Sequence, residues 1–257
     1  MLPLDTFQGR VAVITGGGSG IGNAIASELA TLGATVILVG RRQQLLKEAA
    51  QELTQRGASA HAFVGDVRDS ERIDEITQQV MANFGPIEVL VNSAAGNFRV
   101  APEDMSVNAW NAVVRIVLDG SWNWTQAVGR QAIANHHGAS ILNIGTVGAL
   151  LGGPQTAHSA SAKAGVVAMT KSLAGAWGQH GIRLNVLTPG ITDETPGAEI
   201  LLKDPGMRER AIGEVPLGRA AVLSEMTHAA SFLLSDYAAY ITGANLVVDG
   251  GRSLGRA

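Results

Sequence analysis

Cysteine is absent from the chain, which excludes disulfides, thiolate zinc sites, iron–sulfur ligation and thiol catalysis together. Charge is scarce as well: Asp, Glu, Lys and Arg make up 16% of the 257 residues, against about a quarter in an average domain. The 19 basic residues nearly balance the 22 acidic ones, leaving a net charge of −3 and no global field to attract nucleic acid or an anionic membrane. Neither is expected as a partner. Aromatic residues are few, and Trp110, Trp122, Trp124 and Trp177 lack the interleaved positive charge of a base-stacking surface. No apolar run reaches membrane-spanning length, and Met1–Arg10 has no basic stretch ahead of an apolar one. The expected location is the cytoplasm. Also missing is a P-loop Gly-Lys-Ser/Thr. His136-His137 has no third ligand nearby, so no metal is expected.

Glycine is plentiful, at 32 of 257 residues, and apolar β-branched runs alternate with longer amphipathic stretches. Strands are expected at 11–15, 35–39, 60–64, 89–92, 140–144, 183–187 and 245–248. Helices are expected at 21–32, 43–55, 70–84, 106–134, 157–177 and 224–234. Such alternation predicts right-handed βαβ units. The expected fold is α/β, a single-domain Rossmann fold over residues 1–257 with a doubly wound, seven-stranded parallel sheet. Strands such as Ser140-Ile-Leu-Asn-Ile144 are mostly apolar rather than alternating, as helices on both faces require. The stretch 189–215, rich in Pro, Gly and charge, is expected to be a substrate loop at the carboxyl ends of the strands.

The segment Thr15-Gly-Gly-Gly-Ser-Gly-Ile-Gly22 follows the first strand and opens the first helix. Gly16, Gly20 and Gly22 let the backbone turn sharply and approach a pyrophosphate, which would sit on the helix N-terminus beside Ser19 and Ile21; a bland glycine loop is the alternative. After the second strand, where NAD sites usually place an acid, the chain reads Gly40-Arg41-Arg42. Arg41 or Arg42 can bind a 2′-phosphate, so NADP(H) is expected over NAD(H). The other reading is two solvated arginines at a helix start.

These pieces, with Gly65-Asp-Val67, Asn92-Ser-Ala-Ala-Gly96, Asn143-Ile-Gly-Thr146, Lys163-Ala-Gly165, Arg183-Leu-Asn-Val186, Pro189-Gly190 and Val248-Asp-Gly-Gly251, resemble the short-chain dehydrogenase/reductase family over essentially the whole chain. The resemblance implies that Asp66, next to Val67, bonds the adenine. It implies that Asn92 and the turn Ala94-Ala95-Gly96 lie under the adenosine ribose, and that Pro189, Gly190 and Ile191 lie beside the nicotinamide. It also implies a homotetramer.

The family's usual Tyr-x-x-x-Lys is broken. Four residues before Lys163 stands Ser159, and the only tyrosines are Tyr237 and Tyr240. Serine is a far poorer proton donor than tyrosine, which argues against ordinary carbonyl reduction. Asn92-Ser-Ala-Ala-Gly-Asn-Phe98 and Ser159-Ala-Ser-Ala-Lys-Ala-Gly165 are similar to the 2,4-dienoyl-CoA reductase branch, in which Ser stands where others have Tyr. That resemblance implies reduction of an acyl-CoA-like substrate in fatty-acid metabolism. A 3-oxoacyl or other ketone reductase, and a cofactor-binding protein with little catalysis, are the competing functions.

Lys163 and Ser159, one helical turn apart, are expected to face the nicotinamide, with Thr146 as a further hydroxyl. The family's usual Asn position holds Val117. Asp119 reaches the cleft only if the helix is irregular near Gly120, a solvated carboxylate being the alternative. His158 is expected as a polar residue at a helix N-terminus. Arg99, Lys203, Arg208 and Arg210 are candidates for a basic entrance that CoA phosphates would need.

Overall fold

In the computed structural model, whose described residues are 2–195 and 205–255, the chain begins with an alternating series. It runs β1 (Val11–Thr15), α1 (Gly20–Thr31), β2 (Thr35–Gly40), α2 (Gln43–Gln55), β3 (Ala60–Val64), α3 (Ser70–Phe84) and β4 (Ile87–Asn92). It continues with α4 (Val107–Val114), a π-helical turn (Arg115–Asp119), α5 (Gly120–Ala134), β5 (Ala139–Ile144), α6 (Gly148–Leu151), α7 (Ala157–Trp177) and β6 (Ile182–Pro189). Two helices, Pro205–Gly213 and Leu223–Leu234, precede β7 (Asn245–Val248). Helix starts follow local chemistry: Asp69 accepts from Arg72 N at the start of α3 and Ser106 accepts from Ala109 N at the start of α4, each satisfying an orphan backbone donor.

All seven strands lie in one parallel sheet of order β3-β2-β1-β4-β5-β6-β7. Every residue of β1 is buried, and its pleat divides them between two cores. Ala12 and Ile14 pack with Ile25, Leu29 and Leu233, while Val11 and Val13 pack with Ile76, Val80, Trp124 and Val128. Two-sided burial explains the apolar runs read in the sequence.

The chain departs from the expected pattern in three places. The expected helix 106–134 is interrupted by the π-turn, where Ser121 Oγ donates to Val117 O at 2.6 Å. The short α6 and the helix Pro205–Gly213 carry little periodic signal and fell within stretches read as connections. The strand order reverses between β1 and β4, and the carboxyl ends of those strands open a crevice of the kind in which doubly wound folds bind ligands.

Candidate active site

A cleft of about 450 Å³ occupies this crevice. Its floor is the glycine turn. Gly16 and Gly20 have φ of +68° and +56°, which side chains rarely adopt, and a Cβ on Gly16 would stand 3.0 Å from the Ala94 backbone. Thr15 Oγ1 fastens the neighbouring turn by accepting from Ser93 N and Ala94 N, each at 3.1 Å. Ser19, at the N-cap of α1, leaves the first-turn N–H groups uncapped by a side chain, and no acid lies in that turn. A phosphate anion fits this end of the helix. Ser19, Gly20, Ile21, Arg41 and Arg42 line the cleft, and Arg42 donates to Ser19 Oγ at 3.2 Å, so a guanidinium and a hydroxyl sit together at the phosphate end.

Asp66 and Val67 line the same end. Arg68, which sequence reasoning passed over, grips Asp66: its Nε donates to Oδ1 at 3.0 Å and its Nη2 to Oδ2 at 2.6 Å. That contact holds the Asp66 carboxyl below the usual range. The Asp-x-Arg spacing was the available signal.

Several expected positions lie elsewhere. Asn92 is buried and outside the cleft lining; its Nδ2 donates to Thr125 Oγ1 and Asn143 Oδ1, both at 2.9 Å, and Asn143 in turn donates to Thr170 Oγ1 at 2.9 Å. Its side chain therefore binds β4 to β5 and α5 rather than reaching a ribose. Ala94, Ala95 and Gly96 do line the cleft, as does Pro189, whereas Gly22 and Gly190 do not. Gly22 lies beneath the turn, where a Cβ would meet Gly16 O at 2.8 Å, and Gly190 is pressed against Asp249, whose Cα would be 2.6 Å from a Cβ. Ile191 lines a separate cavity of about 90 Å³ with Arg219 and Glu225. Of the basic candidates, Arg208 is paired with Asp193, and Lys203 lies outside the described residues.

At the other end of the cleft, α7 presents Ser159 and Lys163, and Thr146 follows β5. Lys163 is 6% exposed and donates from Nζ to Ile144 O at 2.5 Å. Burial without a carboxylate partner pushes its ammonium down to about 8. The π-turn carries Ile116 and Val117 into the cleft wall. Asp119 stays exposed and outside that lining: the helix is irregular near Gly120, but the irregularity turns the two apolar side chains inward and leaves the carboxylate out. Tyr237 and Tyr240 are both exposed and away from the cleft. Near Lys163 the lining thus offers a buried cation, the hydroxyls of Ser159 and Thr146 and an apolar wall, without a phenol.

Residues 16–253 match the family described as enoyl-(acyl carrier protein) reductase. The chain belongs to the short-chain dehydrogenase/reductase family. As a member it is an oxidoreductase. A probable 2,4-dienoyl-CoA reductase, (2E)-enoyl-CoA-producing, from Bacillus subtilis (strain 168) is 38% identical over 249 residues, covering 96% of this chain and 98% of the relative. The crystal structure of a short chain dehydrogenase from Bacillus anthracis is similar at TM-score 0.87 and 40% identity, over 95% of this chain and 96% of that one. A gluconate 5-dehydrogenase from Burkholderia cenocepacia, solved in complex with NADP and tartrate, is similar at TM-score 0.91 and 33% identity over 98% of both chains. These likenesses support a nicotinamide cofactor in the cleft and a small-molecule substrate. Among the described residues no helix is long and apolar enough to cross a membrane.

Proposed function

We propose that this oxidoreductase is an NADPH-dependent reductase of unsaturated acyl-CoA thioesters, a 2,4-dienoyl-CoA reductase serving the degradation of unsaturated fatty acids. The observation that carries this reading is Ser159 in the place of a tyrosine, one turn from the buried Lys163 and on the same cleft lining as Val117. Ketone reduction needs a proton delivered to oxygen as hydride reaches carbon. A conjugated dienoyl thioester does not: the electron pair moves through the chain onto the thioester oxygen, and water later protonates carbon.

The residues present suit NADPH. The α1 N-terminus and the glycine turn would hold the pyrophosphate, Arg41, Arg42 and Ser19 the 2′-phosphate, and Asp66 the adenine. When bound, the cofactor would supply the hydride. Lys163, still cationic at pH 7, would bind the nicotinamide ribose hydroxyls and add positive potential where enolate charge develops. Ser159 and Thr146 offer hydroxyl donors nearby. The reading includes a cytoplasmic homotetramer; exposed Val107 and Trp110 on α4 and Trp122 on α5 are apolar surface suited to subunit packing, and sedimentation measures the state directly.

The test follows NADPH oxidation by the purified protein with a trans-2,trans-4-dienoyl-CoA, beside a 3-oxoacyl-CoA and with NADH as cofactor control. Turnover is expected with NADPH and the dienoyl thioester. Activity confined to the oxo substrate would replace this reading with a ketone reductase, and tight NADPH binding without turnover on either would make the protein a cofactor-binding one.

A further inference from the structure

His158 immediately precedes Ser159 in the first turn of α7, and no role in the chemistry above has been given to it. It is 0% exposed. Its Nδ1 accepts the backbone N–H of Ser159 at 2.8 Å, so in the neutral ring the proton resides on Nε2. That Nε2 is buried and has no hydrogen-bond partner. Buried donors are nearly always paired, and one left open asks for an explanation.

The surroundings suggest one. The ring meets Phe98 edge-on, with centroids 4.6 Å apart and planes at 88°, and Phe98 itself is 43% exposed. Phe98 follows Asn97, which lines the cleft. The loop carrying both is tied to the segment before α7 by Val100 N donating to Gln155 O at 3.0 Å. His158 itself is outside the cleft lining, but its chain neighbour Ser159 and Phe98's neighbour Asn97 are both in it, so the open donor lies one residue behind the cleft wall, against an aromatic ring that is partly in solvent.

We propose that Nε2–H of His158 is the hydrogen-bond donor for the thioester carbonyl oxygen of the substrate, with Phe98 as the cover that the acyl group displaces. The inference rests on the function proposed above and says which group supports the oxygen when no tyrosine is present. A preorganised donor aimed where negative charge develops acts mainly on the transition state. No proton leaves His158: the bond strengthens as charge gathers on the oxygen, and the proton added to carbon comes from water.

Two measurements on hexa-2,4-dienoyl-CoA carrying ¹³C at the thioester carbonyl test this. In the wild-type protein without cofactor, binding should move the carbonyl infrared band to lower frequency and the His158 Nε2–H proton resonance downfield. His158→Phe, which keeps a planar ring and removes the donor, should lose the infrared shift and lower kcat by about 10²- to 10³-fold, the usual effect of deleting one such donor, while NADPH affinity stays at the wild-type value. His158→Gln, which restores an N–H, should recover part of both. A carbonyl band and Nε2–H resonance that stay put in a wild-type protein active on the dienoyl thioester would overturn the assignment and leave the proposed function standing. His158→Phe turning over at the wild-type rate would do the same. A wild-type protein inert toward the thioester overturns the function and this inference with it. The proton resonance needs no substitution, so the test survives a variant that fails to fold.

Discussion

Lys163 Nζ donates to the backbone oxygen of Ile144 at 2.5 Å, joining the middle of the cleft-facing helix α7 to the end of β5. Burial holds its ammonium at about 8 rather than 10.5. Keeping that charge inside at neutral pH costs roughly 3 kcal/mol of stability, at 1.36 kcal/mol per pKa unit. The unfolded chain binds the proton up to about 10.5 and the folded chain only to about 8, so stability should rise with pH between those values. Lys163→Met should remove that rise. Its unfolding temperature at pH 7 should stay close to wild type, because the relieved charge offsets the unpaired Ile144 oxygen. Turnover should vanish. A variant with wild-type kinetics would refute the catalytic assignment, and pH-resolved thermal unfolding checks the rest.

Arg68 and Asp66 make a second pair. Arg68 holds the Asp66 carboxyl below its ordinary value, so the pair contributes stability that is present above about pH 4 and lost as pH falls through the depressed value. The side chains remain partly exposed, which keeps the contribution small. Arg68→Ala should therefore change stability little at pH 7 and unfold slightly earlier in acid. The larger effect should fall on the cofactor: the contact proposed between Asp66 and the adenine relies on a carboxylate that Arg68 holds in place, so NADPH affinity should drop several-fold. Titration of NADPH fluorescence measures it.

Much of this architecture is legible in the chain because buried parallel strands must be apolar throughout and helices between them must carry one apolar face. Val11–Thr15 and Ala157–Trp177 follow those rules within a residue or two. The π-turn at Arg115–Asp119 was not legible: Val117 and Asp119 are placed by an extra residue in one helical turn, which no hydrophobic period announces. The role of Asn92 was misjudged for a related reason. An asparagine after a strand next to a glycine turn reads as a ligand-facing amide, yet its partners Thr125 and Asn143 come from two other elements, and Asn143 is tied in turn to Thr170 of α7. Arg41, Arg42, Ser159 and Lys163 could be placed on the cleft lining because each is positioned by a turn or by one helical turn.

Asn92→Ala tests that structural role. It would leave Thr125 and Asn143 without their buried partner, a loss of about 2–3 kcal/mol. In a chain of this size that corresponds to a fall of roughly 4–12 °C in unfolding temperature. NADPH affinity at a temperature where the variant is folded should be near wild type. A large loss of affinity without a loss of stability would return Asn92 to the cofactor site.

Arg42 donates to Ser19 Oγ across the phosphate end of the cleft, and Arg41 lies beside it on the same lining. A hydrogen bond between a guanidinium and a phosphate contributes about 1.5–3 kcal/mol. Arg42→Ala should thus lower kcat/KM for NADPH by about 10- to 100-fold, each 1.4 kcal/mol being a factor of ten. NADH has no 2′-phosphate to lose, so its kcat/KM should hardly move, and the ratio of the two isolates the contact from any general damage to the fold. If both cofactors fall together, Arg42 acts by holding Ser19 and the glycine turn in place. A fall for NADPH alone identifies the 2′-phosphate. Arg41→Ala, measured in the same way, divides the charge between the two arginines: a guanidinium that only raises the local potential should give the smaller effect and lose it in high salt.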